Sequence, residues 1–488
     1  MERHRRSPSS ARRRGGWERQ GEEHDEAAGQ ARRAARVREV EVTEFATPEL
    51  DVVIPDDLAK PLDRLRDAAS ELGISLYLVG GPVRDWLLQR PLVDIDLLIA
   101  NGNPKSIATL VRKGFGKDAK VREHPQFGTM SVEIGEHRVD LATLRKEKYP
   151  RPGALPVVSP GTLEDDLSRR DFSVNALALP LRKGGGEEPI SVIDLGSGLV
   201  DLGESTLRVF HPRSFHDDPT RALRAARLAA RLGFGLSRGA RSALRDALRD
   251  GAFGGVSGDR LRREFIKLFT DCAVGGHPSI ALVHLDKWHV LAALEPGLCT
   301  HASSRAPLRR LEKVLATPQW RVREHRPWVA GLCLWLSPLS APLRRRTLAR
   351  LGVRGDTSVR VLDFAKSCQR WIKELKGTRG RGAVDLVLAE LDEDQLLALY
   401  ATCEPLLRRR VVRWAAEDRD TRIPVSPRDL LNANLSGPVV GVALARIRAA
   451  YLNGEVANRE EGLALAREIL RRSEAGKRGR RPKDAGRN

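Results

Sequence analysis

The hydrophobic pattern changes period part-way along the chain, and that change limits the folds open to it. Between about 60 and 205, apolar residues come in short alternating runs. Leu76–Val79, Val93–Ile99, Ser131–Ile134, Arg138–Leu141, Val174–Leu179 and Val192–Asp194 read as strands, with Gly135-Glu136 a hairpin signal. From about 215 the spacing turns helical, as in Thr220–Leu232, Arg241–Leu248 and Arg260–Phe269, and it continues to Leu470 between Pro and Gly breaks. The expected fold class is α+β: a small mixed sheet with helices, followed by a long all-α region.

Hydrophobic residues make up 41% of the 488, enough for sizeable cores, and no apolar run is long enough to span a bilayer. The Arg-rich N-terminal stretch lacks the apolar segment of a secretory signal, so the expected location is cytoplasmic. Cys299, Cys333, Cys368 and Cys403 follow one another at 34, 35 and 35 residues, but their surroundings do not repeat. With Cys272 they form no CxxC pair, and they read as buried helical thiols rather than a disulfide framework or a zinc site. Lys and Arg number 84 against 64 Asp and Glu, a net charge of +20. That excess suits a polyanion, with nucleic acid ahead of an acidic membrane surface, although an Arg-rich composition alone produces it too.

The stretch Leu76–Ala100 carries the most chemistry. A strand enters Gly80-Gly81, and a helix follows with Pro82 suited to its first position. Two glycines there bare backbone N–H groups and let a phosphate approach, and Arg84 in the first turn adds charge. Asp94 and Asp96 then alternate with Val93, Ile95 and Leu97. Positions i and i+2 share a strand face, with Cα atoms roughly 6–7 Å apart. Two carboxylates on one face of an apolar strand repel each other, and Mg²⁺ ions about 3.5–4 Å apart would relieve that and serve in-line phosphoryl transfer. An edge strand with a wet acidic face is the bland alternative.

With these residues in place, the chain resembles the polymerase-β-like nucleotidyltransferases, and within them the class II tRNA nucleotidyltransferases and the related poly(A) polymerases. The resemblance covers roughly residues 60–472 and is vaguest over about 275–420. It implies that Gly80 and Gly81 hold a triphosphate and that Asp94 and Asp96 bind Mg²⁺, with Asp140 in VDLATLR a candidate third carboxylate. Arg169–Ala176 (RRDFSVNA) resembles the family motif that contacts the sugar 2′-hydroxyl and the triphosphate, pointing to Arg170, Asp171 and Asn175. Asp194-Leu-Gly-Ser-Gly198 and Leu207-Arg208 resemble the segment linking head to neck, where the glycines serve either as a hinge or as an ordinary turn.

Asp217-Asp218-Pro219-Thr220-Arg221 resembles a motif that more commonly begins with Glu, in which the second acid and the Arg read the incoming base. A carboxylate accepting from an amino group and a guanidinium donating to a ring nitrogen suit both cytosine and adenine and reject guanine and uracil. Asp218 also fits a helix N-cap with Pro219 at the first helical position. Arg224, Arg227 and Arg231 form a stripe that faces either phosphate or solvent. Ser257–Arg260 with Glu264 resembles a neck motif whose expected role is positioning. The segment from Ser426 to Leu470 resembles the tRNA-engaging tail of the class II enzymes.

The expected organisation is a disordered basic arm (1–45), a nucleotidyltransferase head (46–210), a base-recognising neck (211–272), a tRNA-binding body and tail (273–472) and a disordered basic end (473–488). The expected activity is template-independent addition of CCA, or part of it, to the tRNA 3′ end from CTP and ATP. Poly(A) polymerase and a non-catalytic RNA-binding protein are the alternatives.

Overall fold

The computed structural model describes residues 38–41, 54, 56–92, 94–116, 119–124, 128–135, 137–181 and 191–478. These fall into two compact units. The first takes in the described residues up to Pro150, then Leu155–Ser214 and Gly235–Ser242; the second takes in Arg151–Ala154, Phe215–Phe234 and the chain from Ala243 onward.

The first unit is built on one sheet. Its strands are β1 (Arg38–Glu41), β2 (Ser75–Val79), β3 (Asp94–Ala100), β4 (Lys120–His124), β5 (Thr129–Ile134), β6 (His137–Thr143), β9 (Leu177–Pro180) and β10 (Ser191–Asp194). They lie in the order β1-β10-β9-β2-β3-β6-β5-β4, and β7 (Arg145–Lys148) pairs with β8 (Val157–Pro160) in a separate ribbon. All neighbours in the large sheet are antiparallel except β3 and β6. Helices α1 (Asp56–Glu71), α2 (Gly81–Leu87), α3 (Pro104–Phe115) and α4 (Leu163–Ser168) accompany the sheet. The central strands read as apolar runs because both faces are covered: Leu76 and Leu78 are buried on one face of β2 and Val79 on the other, and on β3 Ile95, Leu97 and Ile99 are buried on one face and Leu98 and Ala100 on the other.

One strand expected from sequence does not form as read. Ser173–Asn175 make a 3₁₀ turn, and the strand starts only at Leu177. The Asp171 carboxylate accepts from the Phe172 N–H and from the Asn175 amide, and this local bonding outcompetes the ladder. Residues 38–41, within the arm read as disordered, pair with β10, and the last helix runs to Arg478, inside the end read as disordered. The remainder of those two segments lies outside the described residues.

The second unit is helical, including α5 (Arg221–Leu232) and α6 (Gly258–Thr270). Its core is rich in large side chains, with Phe265 stacked on Trp335 at 5.2 Å between ring centroids. All five cysteines are free. Cys272, Cys333, Cys368 and Cys403 are buried and Cys299 is half-buried, and Cys299 and Cys403 lie outside any helix. Burial pushes the Cys368 thiol up to about 11 and that of Cys403 to about 12, which makes both poor nucleophiles. Among the described residues no helix is long and apolar enough to cross a membrane.

Candidate active site

In the first unit the site is organised around the turn between β2 and α2. Gly80 ends the strand at φ 75° and ψ −130°, a conformation that disfavours any side chain. Its N–H donates to the Leu177 carbonyl of β9 at 3.1 Å. A Cβ on Gly80 would lie 2.7 Å from Arg170 Nη1, so the turn and that guanidinium are in direct apposition.

One helical turn further on, buried Arg84 donates to Asp85 at 2.9 Å and to the Asn175 Oδ1. Asn175 Nδ2 donates in turn to Asp171 Oδ1 at 3.0 Å. Arg84, expected to add charge for a phosphate, thus holds the Asn175 amide in one orientation. The turn carrying these residues is supported from behind. Ser173 N–H donates to the Arg208 carbonyl at 3.0 Å, and its hydroxyl donates to Asp201, which also takes the Arg208 guanidinium at 2.8 Å. Asp194 accepts from the N–H groups of Gly196, Gly198 and Leu199. A Cβ on Gly198 would sit 2.5 Å from the Ser173 carbonyl oxygen. The Asp194–Gly198 segment is a turn pinned by Asp194 and packed under Ser173.

The acids lie on the two parallel strands. Asp94 is in register with Arg138, and Asp96 with Asp140. In-register neighbours on adjacent strands share a face at a strand spacing of about 4.8 Å. Asp140 Oδ1 accepts from Arg138 Nε at 2.8 Å and from the Ser131 hydroxyl. The Asp94 side chain lies outside the described residues. Among the described residues no cluster of three or more His, Cys, Asp or Glu converges. A pair of carboxylate oxygen donors still fits Mg²⁺, which takes one or two carboxylates and completes its shell with water and substrate phosphate.

Sequence reasoning missed the charge cluster beside this turn. Arg145 and Arg169 meet Glu147 at 3.4 and 2.9 Å, while Arg169 and Arg170 share Asp166 at 2.8 and 3.2 Å. Burial lowers the pKa of Arg170 and Arg145, and the neighbouring carboxylates oppose this; for Arg170 these include Asp96. Asp166 lies three and four residues before the two arginines on the helix that leads to them, a spacing that could have revealed it.

Asp218, Arg221, Arg224 and Arg227 belong to the second unit. Helix α5 starts at Arg221, later than the sequence suggested, because the N–H groups of Arg221, Ala222 and Leu223 bond three residues back in a tighter entry turn. Asp218 Oδ1 accepts from Thr220 N at 3.0 Å and Thr220 Oγ1 at 2.6 Å, so it caps that turn. The same oxygen takes Arg260 Nη2 at 2.7 Å, and Arg260 Nη1 donates to the Gly153 carbonyl at 2.9 Å. Arg221 is buried and Arg224 is exposed. Arg227 is taken up by Glu264 at 2.9 Å and Asp271 at 2.7 Å, so it ties α5 to α6 instead of joining a uniform basic stripe.

Residues 76–208 match the poly(A) polymerase head domain. A CC-adding tRNA nucleotidyltransferase of Deinococcus radiodurans is 42% identical over 190 residues, 38% of this chain and 49% of the relative. An A-adding tRNA nucleotidyltransferase of Geobacter sulfurreducens is 29% identical over 424 residues, 85% of this chain and 47% of the relative. The chain thus matches about half the length of each of these relatives. An apo CCA-adding enzyme structure has the same fold, with a TM-score of 0.70 at 23% identity over 90% of this chain and 99% of that one. With its sheet and its glycine turn, the chain carries a poly(A) polymerase head domain over residues 76–208 and is similar to these tRNA nucleotidyltransferases.

Proposed function

We propose that the protein adds CCA, or part of it, to the 3′ end of tRNA without a template, using CTP and ATP and releasing pyrophosphate. The observation that most supports this is the register of Asp96 with Asp140 on strands next to the Gly80 turn and Arg170. The match to an A-adding tRNA enzyme extends over 85% of the chain, well beyond the head, which favours tRNA over poly(A) synthesis.

Nucleotidyltransferases of this family use a divalent cation, and Mg²⁺ is the ion we assign, held by Asp94 and Asp96 with Asp140 in support. When bound there, Mg²⁺ would lower the pKa of the attacking 3′-hydroxyl and stabilise the departing pyrophosphate. The protein's own residues do the rest. Gly80, Gly81 and Arg170 bind the triphosphate, with Arg170 supplying a forked donor. Asp171 and Asn175, oriented by Arg84, read the sugar hydroxyl. Asp218 and Arg221 read the base, and Arg260 holds Asp218 in place. Arg224 offers an exposed cation for phosphate, and Arg227 fixes the helix that carries the reader. Five free cysteines suit a reducing cytoplasm.

The function is tested by supplying tRNAs that end before CCA, after the first C and after CC with CTP or ATP alone. Extension by the next nucleotide of CCA on at least one of them is expected; extension of none contradicts the proposal.

Two expected results follow from the site. If Asp218 reads the base, Asp218→Asn loses selectivity in four-nucleotide competition, admitting UTP or GTP, because the amide adds a donor for their carbonyls. If it only caps, Asn serves about as well and selectivity stays put. Binding of tRNA weakens with salt, log K falling against log[salt] with a slope of about −0.7 to −0.9 per phosphate neutralised. A flat response in filter binding would show that the net charge of +20 is not used for RNA.

A further inference from the structure

Asp166 is wholly buried in α4, and its two oxygens are divided between consecutive arginines. Oδ2 accepts from Arg169 Nε and Nη2 at 3.2 and 2.8 Å, and Oδ1 accepts from Arg170 Nη2 at 3.2 Å. The Arg145 backbone N–H approaches Oδ2 at 3.4 Å. Glu147 takes Arg169 Nη1 at 2.9 Å and is itself steadied by the Tyr149 hydroxyl at 3.0 Å. Three guanidiniums therefore share two carboxylates. Asp96 adds a further counter-charge on Arg170.

Arg170 Nη1 is the atom a Gly80 Cβ would meet at 2.7 Å. With Nη2 anchored on Asp166, the guanidinium has one edge fixed and the other against the glycine turn. Without that anchor, Arg169 and Arg170 would repel each other, and nothing else described at Nη2 would set its direction.

We infer that Asp166 is a positioning residue for nucleotide binding: it holds Arg170 against the Gly80 turn so that the guanidinium meets the triphosphate of the incoming nucleotide. This rests on the nucleotidyltransferase reading above. Asp166 touches no substrate, and its whole effect passes through Arg170.

That claim is tested by a double-mutant cycle on the full chain with Asp166→Asn, Arg170→Ala and both together. CTP and ATP binding is measured by equilibrium dialysis, with inorganic tripolyphosphate as competitor, alongside KM, kcat and tRNA affinity. Asp166→Asn is expected to weaken nucleotide binding by about 10-fold or more, as for a buried charge-assisted bond, and to raise KM more than it lowers kcat. Competition by tripolyphosphate should weaken in parallel, and tRNA affinity should be unchanged. In the Arg170→Ala background the same change is expected to add less than about twofold. Multiplying effects, or equal losses of nucleotide and tRNA binding, would overturn the inference. If Asp166→Asn does not fold, Asp166→Glu keeps the charge but moves it by one methylene. It must then raise KM in the wild-type background and not in Arg170→Ala, or the inference fails. A wild-type chain that binds nucleotides but extends no tRNA would count against the assigned reaction; a wild-type chain that binds neither nucleotide nor tripolyphosphate would overturn the inference.

Discussion

Asp96→Ala is expected to lower nucleotide addition by on the order of 10³-fold or more, since a metal-holding carboxylate contributes several kcal/mol to charge stabilisation. Affinity for tRNA should stay within about twofold, as expected for binding that rests on phosphate contacts away from the acids. Asp96 faces the same side as Asp140 from the neighbouring strand, and its charge acts on Arg170. Its removal therefore takes away both a candidate metal ligand and a counter-charge. Asp94→Ala should behave alike, two positions away on β3. Single-turnover extension with Mg²⁺ present is the measurement, and near wild-type rates from either variant would remove the two-carboxylate assignment.

The second large effect distinguishes two adjacent glycines. Gly80→Ala should destabilise the chain by about 1–3 kcal/mol from its strained backbone alone. Arg170 must also move, since the added Cβ would lie 2.7 Å from Nη1. Arg170 is not a loose surface side chain, because Asp166 holds its other nitrogen at 3.2 Å. A displacement of about 1 Å at such a group costs on the order of 100-fold in rate. At Gly81 the nearest atom to an added Cβ is Arg84 Nη2 at 3.5 Å, an ordinary contact at an ordinary φ. Gly81→Ala should therefore fall well short of Gly80→Ala in both urea denaturation and nucleotide KM. Equal effects would show that room for a ligand to approach the turn, shared by the pair, matters more than the conformation peculiar to Gly80.

The two glycines also show how far the sequence could be read. Their type and their place before an acidic strand were visible as a motif, yet which of them needed φ near +75° was not. The apolar strands β2 and β3 were legible because burial on both faces leaves an apolar signature, and β6 because buried Val139 and Leu141 alternate with more exposed residues. β4 and β7 were not: KVREH and RKEK are short and dominated by charge, and they form through pairing with neighbours, not through any pattern of their own. Asp218 was legible as a cap or as a reader, and the structure adds Arg260 as its partner across 42 residues, which no local spacing predicts. Arg227 looked like a member of a basic stripe by helical phase alone. Its partners Glu264 and Asp271 come from later in the chain, so their claim on it emerges only with the tertiary fold.

The central claim, bounded addition at a tRNA end, is tested most directly by comparing two RNAs under one condition. The full chain is given a tRNA lacking CCA and, separately, an unstructured RNA of similar length, each with CTP, ATP and Mg²⁺. Products are sized at single-nucleotide resolution. The tRNA is predicted to grow by no more than three nucleotides and stop, drawing only on C and A, while the unstructured RNA is extended poorly. Long adenylate tails on both RNAs, or no growth of tRNA from any starting end, would contradict the account.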